Sequence, residues 1–112
     1  MAAIHGDKLR GHLETLVLST LERGEAHGLE VLRRLEEAGC GLLRLKEGSL
    51  YPALQRMLKA GWLSAEWGVS ARNRRVRFYK ITPAGRKQLE REVSSFDRML
   101  EGIARVMRPA ES

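Results

Sequence analysis

The residues of this sequence best suited to a chemical task are four arginines in one short segment. They fall within a six-residue window that contains no acidic residue: Arg72, Arg74, Arg75 and Arg77. Unpaired guanidinium groups at this density suit phosphate binding, because each phosphate they neutralise releases condensed counterions. An arginine can also enter a narrow minor groove, where the negative potential is highest. The segment indicates either a nucleic-acid contact or an ordinary basic loop in solvent.

A second group of polar side chains lies earlier in the chain, beside an apolar helical face. Lys46, Ser49 and Tyr51 suit phosphate contacts near the positive end of a helix. Gln55 and Arg56 have the donors and acceptors needed to read base edges in a major groove. An ordinary polar helix face is the alternative, and Tyr51 could instead pack half-buried on the preceding helix.

The sequence offers little for catalysis or metal binding. Cys40 is the only cysteine, and His5, His12 and His27 lack the spacing of metal ligands. We find no glycine-rich phosphate loop and no pair of acids near a nucleophile. We therefore expect no enzymatic activity, no cofactor and no bound metal.

Composition points to a small globular protein with a polyanionic partner. The 112 residues suit a single core, the net charge is +6, and the sequence pI is about 10.1. The first ten residues lack the apolar segment of a signal peptide, and no stretch matches a transmembrane helix. Together with the lone cysteine, these features predict a cytoplasmic protein without a membrane partner.

Hydrophobic periodicity predicts three helices followed by a hairpin. The first helix runs from about Asp7 to Arg23. In the second, from about Gly28 to Ala38, one face is formed by Leu29, Leu32 and Leu35. Ser49 is the predicted N-cap of the third helix, which reaches Lys59 and has Pro52 in its first turn. Strands at 63–67 and 76–81 flank a loop over 68–75, and Trp62 and Trp67 are expected to pack in the core.

A long helix closes the chain. Thr82 and Pro83 form a strong helix start, and Pro109 ends the helix after Met107. Its apolar residues recur at spacings of 4, 3, 4, 3 and 4, the a/d pattern of a coiled coil: Leu89, Val93, Phe96, Leu100, Ile103 and Met107. We expect this stripe to bind a second copy of the chain, the alternative being an amphipathic helix that covers its own core.

The predicted fold class is mainly α with a small β-hairpin. A winged helix-turn-helix DNA-binding domain is expected over 7–82, and a long C-terminal dimerisation helix over 83–108. The third helix would be the recognition helix, and the hairpin would be the wing.

The sequence resembles the PadR family of bacterial transcriptional regulators from about Leu9 to Leu89. The most specific stretch is 48–54, Gly-Ser-Leu-Tyr-Pro-Ala-Leu, followed by Gly-Trp-Leu at 61–63. Further matches are Leu-Arg-Gly at 9–11, Leu-Glu at 13–14, His-Gly-Leu-Glu-Val at 27–31, and Tyr-Lys-Ile-Thr at 79–82 with Gly85. Leu29 stands where the family usually has tyrosine, and Trp62 replaces a smaller aliphatic residue.

The resemblance implies a homodimer formed by the C-terminal and first helices. It also implies DNA contacts from Lys46, Ser49, Tyr51 and the wing arginines. Family members commonly repress genes, and some release DNA when a small aromatic or drug-like molecule binds. Members that bind flat drugs use a tryptophan on the C-terminal helix, which this chain lacks.

We therefore predict a homodimeric, sequence-specific regulator of transcription. Its expected partners are a double-stranded DNA operator, a second copy of itself and a small-molecule effector that releases the operator. The alternative is a winged-helix module that binds another protein or RNA, since one fold serves many functions.

Overall fold

The computed structural model describes residues 10–108 and consists of helices around a two-stranded hairpin. A 3₁₀ turn, Arg10–His12, leads into the first helix. The elements are, in chain order, α1 Leu13–Glu22, α2 Gly28–Ala38, α3 Glu47–Lys59, β1 Leu63–Val69, β2 Arg75–Ile81 and α4 Pro83–Met107. The predicted class, mainly α with a hairpin and a long last helix, is confirmed.

Side-chain caps define the starts of two helices. At α2, His27 Nδ1 accepts from the Glu30 N–H at 3.4 Å, and Glu30 Oε1 accepts from the His27 N–H at 3.2 Å. This capping box satisfies two backbone donors that the helix leaves free. At α4, Thr82 Oγ1 accepts from the Gly85 N–H at 3.0 Å, and Pro83 occupies the first helical position. The predicted spans of both helices are confirmed.

Two other helix starts differ from the prediction. The α-helical part of α1 begins only at Leu13, and the predicted start at Asp7 lies outside the described residues, as does Pro109. The N-cap of α3 is the extended Lys46, whose carbonyl accepts from the Ser49 N–H at 3.0 Å. The prediction that Ser49 is the N-cap was therefore wrong. Pro52 falls in the second turn, where the helix continues despite one missing donor.

The hairpin is longer than predicted because its strands continue toward the tip. β1 and β2 are antiparallel, with Leu63 opposite Ile81 at the base and Val69 opposite Arg75 at the tip. Residues 68, 69 and 75, which were predicted to lie in the loop, belong to the strands. Ala26 exchanges two backbone hydrogen bonds with Tyr79, of 3.1 and 2.8 Å, and so ties the segment before α2 to β2.

The core lies between the helices and the base of the hairpin. On α2 the buried residues are Gly28, Val31 and Leu35, so Leu29 is turned outward and is 54% exposed. Contrary to the prediction, Leu29 therefore does not lie with the buried Leu35 on one face. The largest fully buried side chains are Leu18, Leu21, Leu50, Leu54, Met57, Val17 and Val31.

Gly85 marks a close approach between α4 and the segment that precedes β1. A Cβ at this position would overlap the Trp62 carbonyl oxygen and lie 2.8 Å from Ile81 Cγ1. Because backbone would have to move, we expect Gly85→Ala to lower the free energy of unfolding by about 1–3 kcal/mol. Denaturant titration at fixed protein concentration measures this change.

Gly102 provides the matched control on the same helix. A Cβ there meets no atom within 4 Å. We expect Gly102→Ala to raise the free energy of unfolding by about 0.5–1 kcal/mol, because alanine is the better helix former. If both substitutions raised the free energy of unfolding by a similar amount, the tight contact at Gly85 would be contradicted.

Candidate nucleic-acid interface

The exposed face of α3 is shallow and polar. Gly48, Pro52, Gln55 and Lys59 recur at helical spacing and are all exposed, opposite the buried face of the helix. Gly48 has no side chain and Pro52 a compact one, so a ligand can approach the helix backbone closely. Gln55 is exposed at the middle of this face, where it was predicted. Lys59 was missed, although its i+4 spacing from Gln55 placed it on the same face.

The first turn of α3 presents polar groups beside free backbone donors. Lys46 and Ser49 are both exposed there, as a phosphate contact requires. The positive end of the helix favours an anion at this position.

Tyr51 has two environments. Its ring packs against α2, where a Cβ on Gly28 would lie 2.7 Å from the Tyr51 hydroxyl oxygen, yet the residue is 41% exposed. Burial raises the pKa of the Tyr51 hydroxyl, and the neighbouring Glu47 and Tyr79 raise it further. The hydroxyl therefore remains protonated at neutral pH and can donate a hydrogen bond. The ring thus contacts the second helix while the residue stays exposed, and a phosphate contact of the hydroxyl remains a prediction.

Arg56 lies on a different flank of α3. Its Nη2 and Nε both donate to Glu14 Oε1 on α1, at 2.8 and 3.2 Å. The guanidinium is thus turned toward α1 while 59% of the side chain stays exposed, and base reading by Arg56 remains a prediction. The ion pair links α3 to α1. The contact joins residues 42 positions apart, which no local sequence pattern signals.

The wing tip is an ordered turn. The Asn73 N–H donates to the Ser70 carbonyl at 2.9 Å, and the Ser70 N–H donates to the Arg74 carbonyl at 2.8 Å. Asn73 has a φ of 60°, in the left-handed region that asparagine tolerates better than most residues. This is the common three-residue hairpin loop, whose last residue is left-handed. It displays Arg72 and Arg74 in solvent at the end of the wing.

The wing arginines divide between two surfaces of the hairpin. Arg75 and Arg77 lie on the face of Trp67, with their Cζ atoms 4.4 and 5.7 Å from its ring centroid. Arg72 and Arg74 instead border a cleft of about 510 Å³ between the wing and the start of α2. Leu29 and Phe78 also line this cleft.

Trp67 is 59% exposed and does not pack in the core, contrary to prediction. The expectation holds for Trp62, which is partly buried and packs against the core.

Tyr79 connects the wing to the recognition helix. Its buried ring lies 6.0 Å from Arg77 Cζ, and Tyr79 is close enough to Tyr51 to perturb its pKa. Arg77 Nε is buried and has no hydrogen-bond partner among the described residues. Residues 46–77 carry seven basic and two acidic side chains, which is +5 of the chain's net +6. One stretch of the chain therefore carries most of the net positive charge.

The long helix α4 carries an apolar stripe that its own protomer covers only at one end. Phe96 and Leu100 are 37% and 47% exposed, and Val93, Ile103 and Met107 are exposed as well. Leu89 is only 5% exposed and belongs to the protomer core, so its assignment to a dimer seam is corrected. The rings of Phe96 and His12, the residue before α1, form an edge-to-face contact with 5.0 Å between their centroids. Exposed Met99 and Val106 widen the stripe beyond the predicted seam.

Other kinds of site are not formed by the part of the chain that the structure describes. Within residues 10–108, no three potential ligands among histidine, cysteine and acidic side chains lie close enough to share a metal ion. None of the described helices is long and apolar enough to cross a membrane.

Three helices, the third with a polar exposed face, are followed by a basic hairpin. This arrangement defines a winged helix-turn-helix protein. Residues 17–91 match the PadR-like family of transcriptional regulators, and the chain belongs to that family. The protein is thus a PadR-family transcriptional regulator, as its sequence motifs predicted.

Solved structures of transcriptional regulators are similar to this chain along most of its length. A regulator from Clostridium thermocellum is 28% identical, with a TM-score of 0.81 over 89% of this chain and 97% of its own. A PadR family regulator from Eggerthella lenta is 25% identical, with a TM-score of 0.79 over 93% and 88%. A PadR-like regulator from Bacillus cereus is 27% identical, with a TM-score of 0.78 over 94% and 100%.

Proposed function

We propose that the protein is a homodimeric repressor that binds an operator in double-stranded DNA. The observation that carries the proposal is that α3 and the wing lie in the stretch with five of the six net positive charges, with Tyr79 near both Arg77 and Tyr51. The width of a major groove admits α3, and the wing then meets the flanking phosphates and minor groove. DNA as the partner also implies a cytoplasmic location.

The predicted contact residues divide into phosphate contacts and base contacts in this proposal, and Arg56 would join the base contacts if it exchanged Glu14 for a base edge. Lys46, Ser49 and Tyr51 bind phosphate at the start of α3, since all three present donors there. Gln55 reads a base edge, because its amide carries both a donor and an acceptor. The phosphate contacts of the wing come from Arg72, Arg74, Arg75 and Arg77.

The domains 7–82 and 83–108 divide the work between DNA binding and dimerisation. The exposed stripe on α4 supports dimerisation, because water-exposed apolar side chains at a/d spacing are stabilised by a partner helix. A two-fold dimer places two recognition helices about 34 Å apart, one turn of B-DNA. A small-molecule effector that changes this separation would release the operator.

Gln55 is expected to determine the sequence preference. Gln55→Ala should reduce the discrimination at one base pair by about 1–3 kcal/mol, while binding to random DNA stays nearly constant. Competition binding with operator variants measures the change. Lys59→Ala on the same face is the comparison. It removes a charge and should weaken binding to all DNA sequences alike. An unchanged preference in Gln55→Ala would contradict base reading by this residue.

A reporter fused to the gene's own upstream region tests repression. We expect deletion of the gene to raise reporter expression, and the wild-type gene to restore the low level. Lower expression after deletion would identify an activator and overturn the repressor assignment.

A further inference from the structure

Trp67 is the one large aromatic residue of the described chain that is mostly exposed on the wing. It is 59% exposed and contributes nothing to the core, so burial does not explain its presence. Tryptophan in a hairpin is stabilised mainly by neighbours on the same face of the sheet. The neighbours of Trp67 are therefore informative about its role.

The strand register fixes those neighbours. Trp67 pairs directly with Arg77, and Arg75 lies two residues along on the same face. Arg75 Cζ is 4.4 Å from the Trp67 ring centroid and Arg77 Cζ is 5.7 Å away. Both distances are within the range of a cation–π contact. One indole ring thus contacts two guanidinium groups. Neither guanidinium forms a salt bridge with an acidic side chain among the described residues.

This arrangement restricts two side chains that would otherwise be mobile. Arginine has large rotamer entropy, and a binding partner must immobilise it at a thermodynamic cost. A guanidinium stacked on an aromatic ring keeps its N–H groups free in the plane of the stack.

We propose that Trp67 is a positioning residue, which holds Arg75 and Arg77 ready to bind phosphates of the DNA backbone. The inference rests on the proposed DNA binding and assigns a role to a residue outside the predicted contact set. The ring itself need not touch DNA. Its contribution is to order the two cations before the complex forms.

Substitutions at Trp67 test this role through affinity and salt dependence. We expect Trp67→Leu to weaken operator binding roughly five- to twentyfold, through loss of two stacking contacts. The slope of affinity against salt should stay constant, because the phosphate-binding charges remain. Trp67→Phe keeps an aromatic face and should stay within about threefold of wild type. Equal binding by Trp67→Leu and wild type would overturn the proposal.

Val69 provides a matched control on the same face. Its exposed fraction is 63%, and it carries no aromatic ring. Val69→Ala should leave the affinity unchanged, whereas a loss as large as that of Trp67→Leu would indicate general apolar contact and overturn the stacking role. In an Arg75→Gln, Arg77→Gln background, Trp67→Leu should have no further effect on affinity. If the losses of DNA affinity were additive, Trp67 would act independently of the two arginines, contrary to the proposal.

A readout without DNA separates this inference from the proposed function. Trp62 and Trp67 are the only tryptophans, so Trp62→Phe leaves Trp67 as the sole indole emitter. In that background, Arg75→Gln should change the Trp67 emission of the free protein. An unchanged emission would refute the stack even if DNA binds. Conversely, an altered emission with no DNA binding by wild type would refute the proposed function and leave the stack intact.

Discussion

Replacing Phe96 and Leu100 together by glutamate is expected to give a monomer that no longer holds its operator. Both side chains are exposed on α4 in the middle of the apolar stripe. A two-fold interface repeats each substitution, so four carboxylates would be buried against apolar partners. An uncompensated buried charge is strongly destabilising, by about 3–5 kcal/mol each. Sedimentation equilibrium measures the dimer, and titration of labelled operator measures the binding.

The loss of DNA affinity should be large because the two half-sites act together. Once one recognition helix is bound, the partner helix meets its half-site at high effective concentration. A monomer lacks this gain, and we expect its operator affinity to fall by at least about a hundredfold. The double variant Arg98→Glu, Arg105→Glu places two carboxylates on the exposed face of α4 opposite the stripe and should remain dimeric. A dimer of unchanged affinity in Phe96→Glu, Leu100→Glu would show that the stripe serves another purpose.

Removing two wing arginines should have the second largest effect. Arg74→Ala with Arg75→Ala deletes one cation of the tip and one of the Trp67 face. Each lost phosphate contact should lower the slope of log affinity against log salt by about one, for operator and random DNA alike. At 0.15 M salt we expect the affinity for both DNAs to fall by roughly tenfold per contact.

The matched control removes the same charge elsewhere. Arg91 and Arg98 are exposed on α4, away from α3 and the wing. Replacing both by alanine should leave the salt slope and the affinity close to wild type. If the two double variants lose affinity equally, net charge governs the binding and the wing has no special role.

The features that could be predicted from sequence are those encoded locally. The Thr82 cap, the alternation of the strands and the 3.5-residue period of α4 each lie within one segment, and the structure agrees with them. The clustered wing arginines were visible for the same reason. Backbone geometry limited the prediction at α3, where the extended Lys46 begins the helix before the serine that resembled a cap.

The missed features depend on contacts between distant segments. Arg56 pairs with Glu14, and Leu89 is buried by the protomer rather than left for a partner. Trp67 resembled a core residue by composition, but its strand extends past the core and leaves it beside two arginines. In each case the residue type and local spacing were compatible with both outcomes, and the path of the chain decided between them.

The most direct test of DNA regulation is binding of the purified protein to its own upstream DNA, compared with a shuffled fragment of equal length. The titration is repeated from low to physiological salt. We predict that the upstream fragment binds at least about a thousandfold more tightly. Its affinity should fall steeply with salt, as contacts to several phosphates require. Weak binding of equal strength to both fragments would contradict a sequence-specific regulator of this promoter.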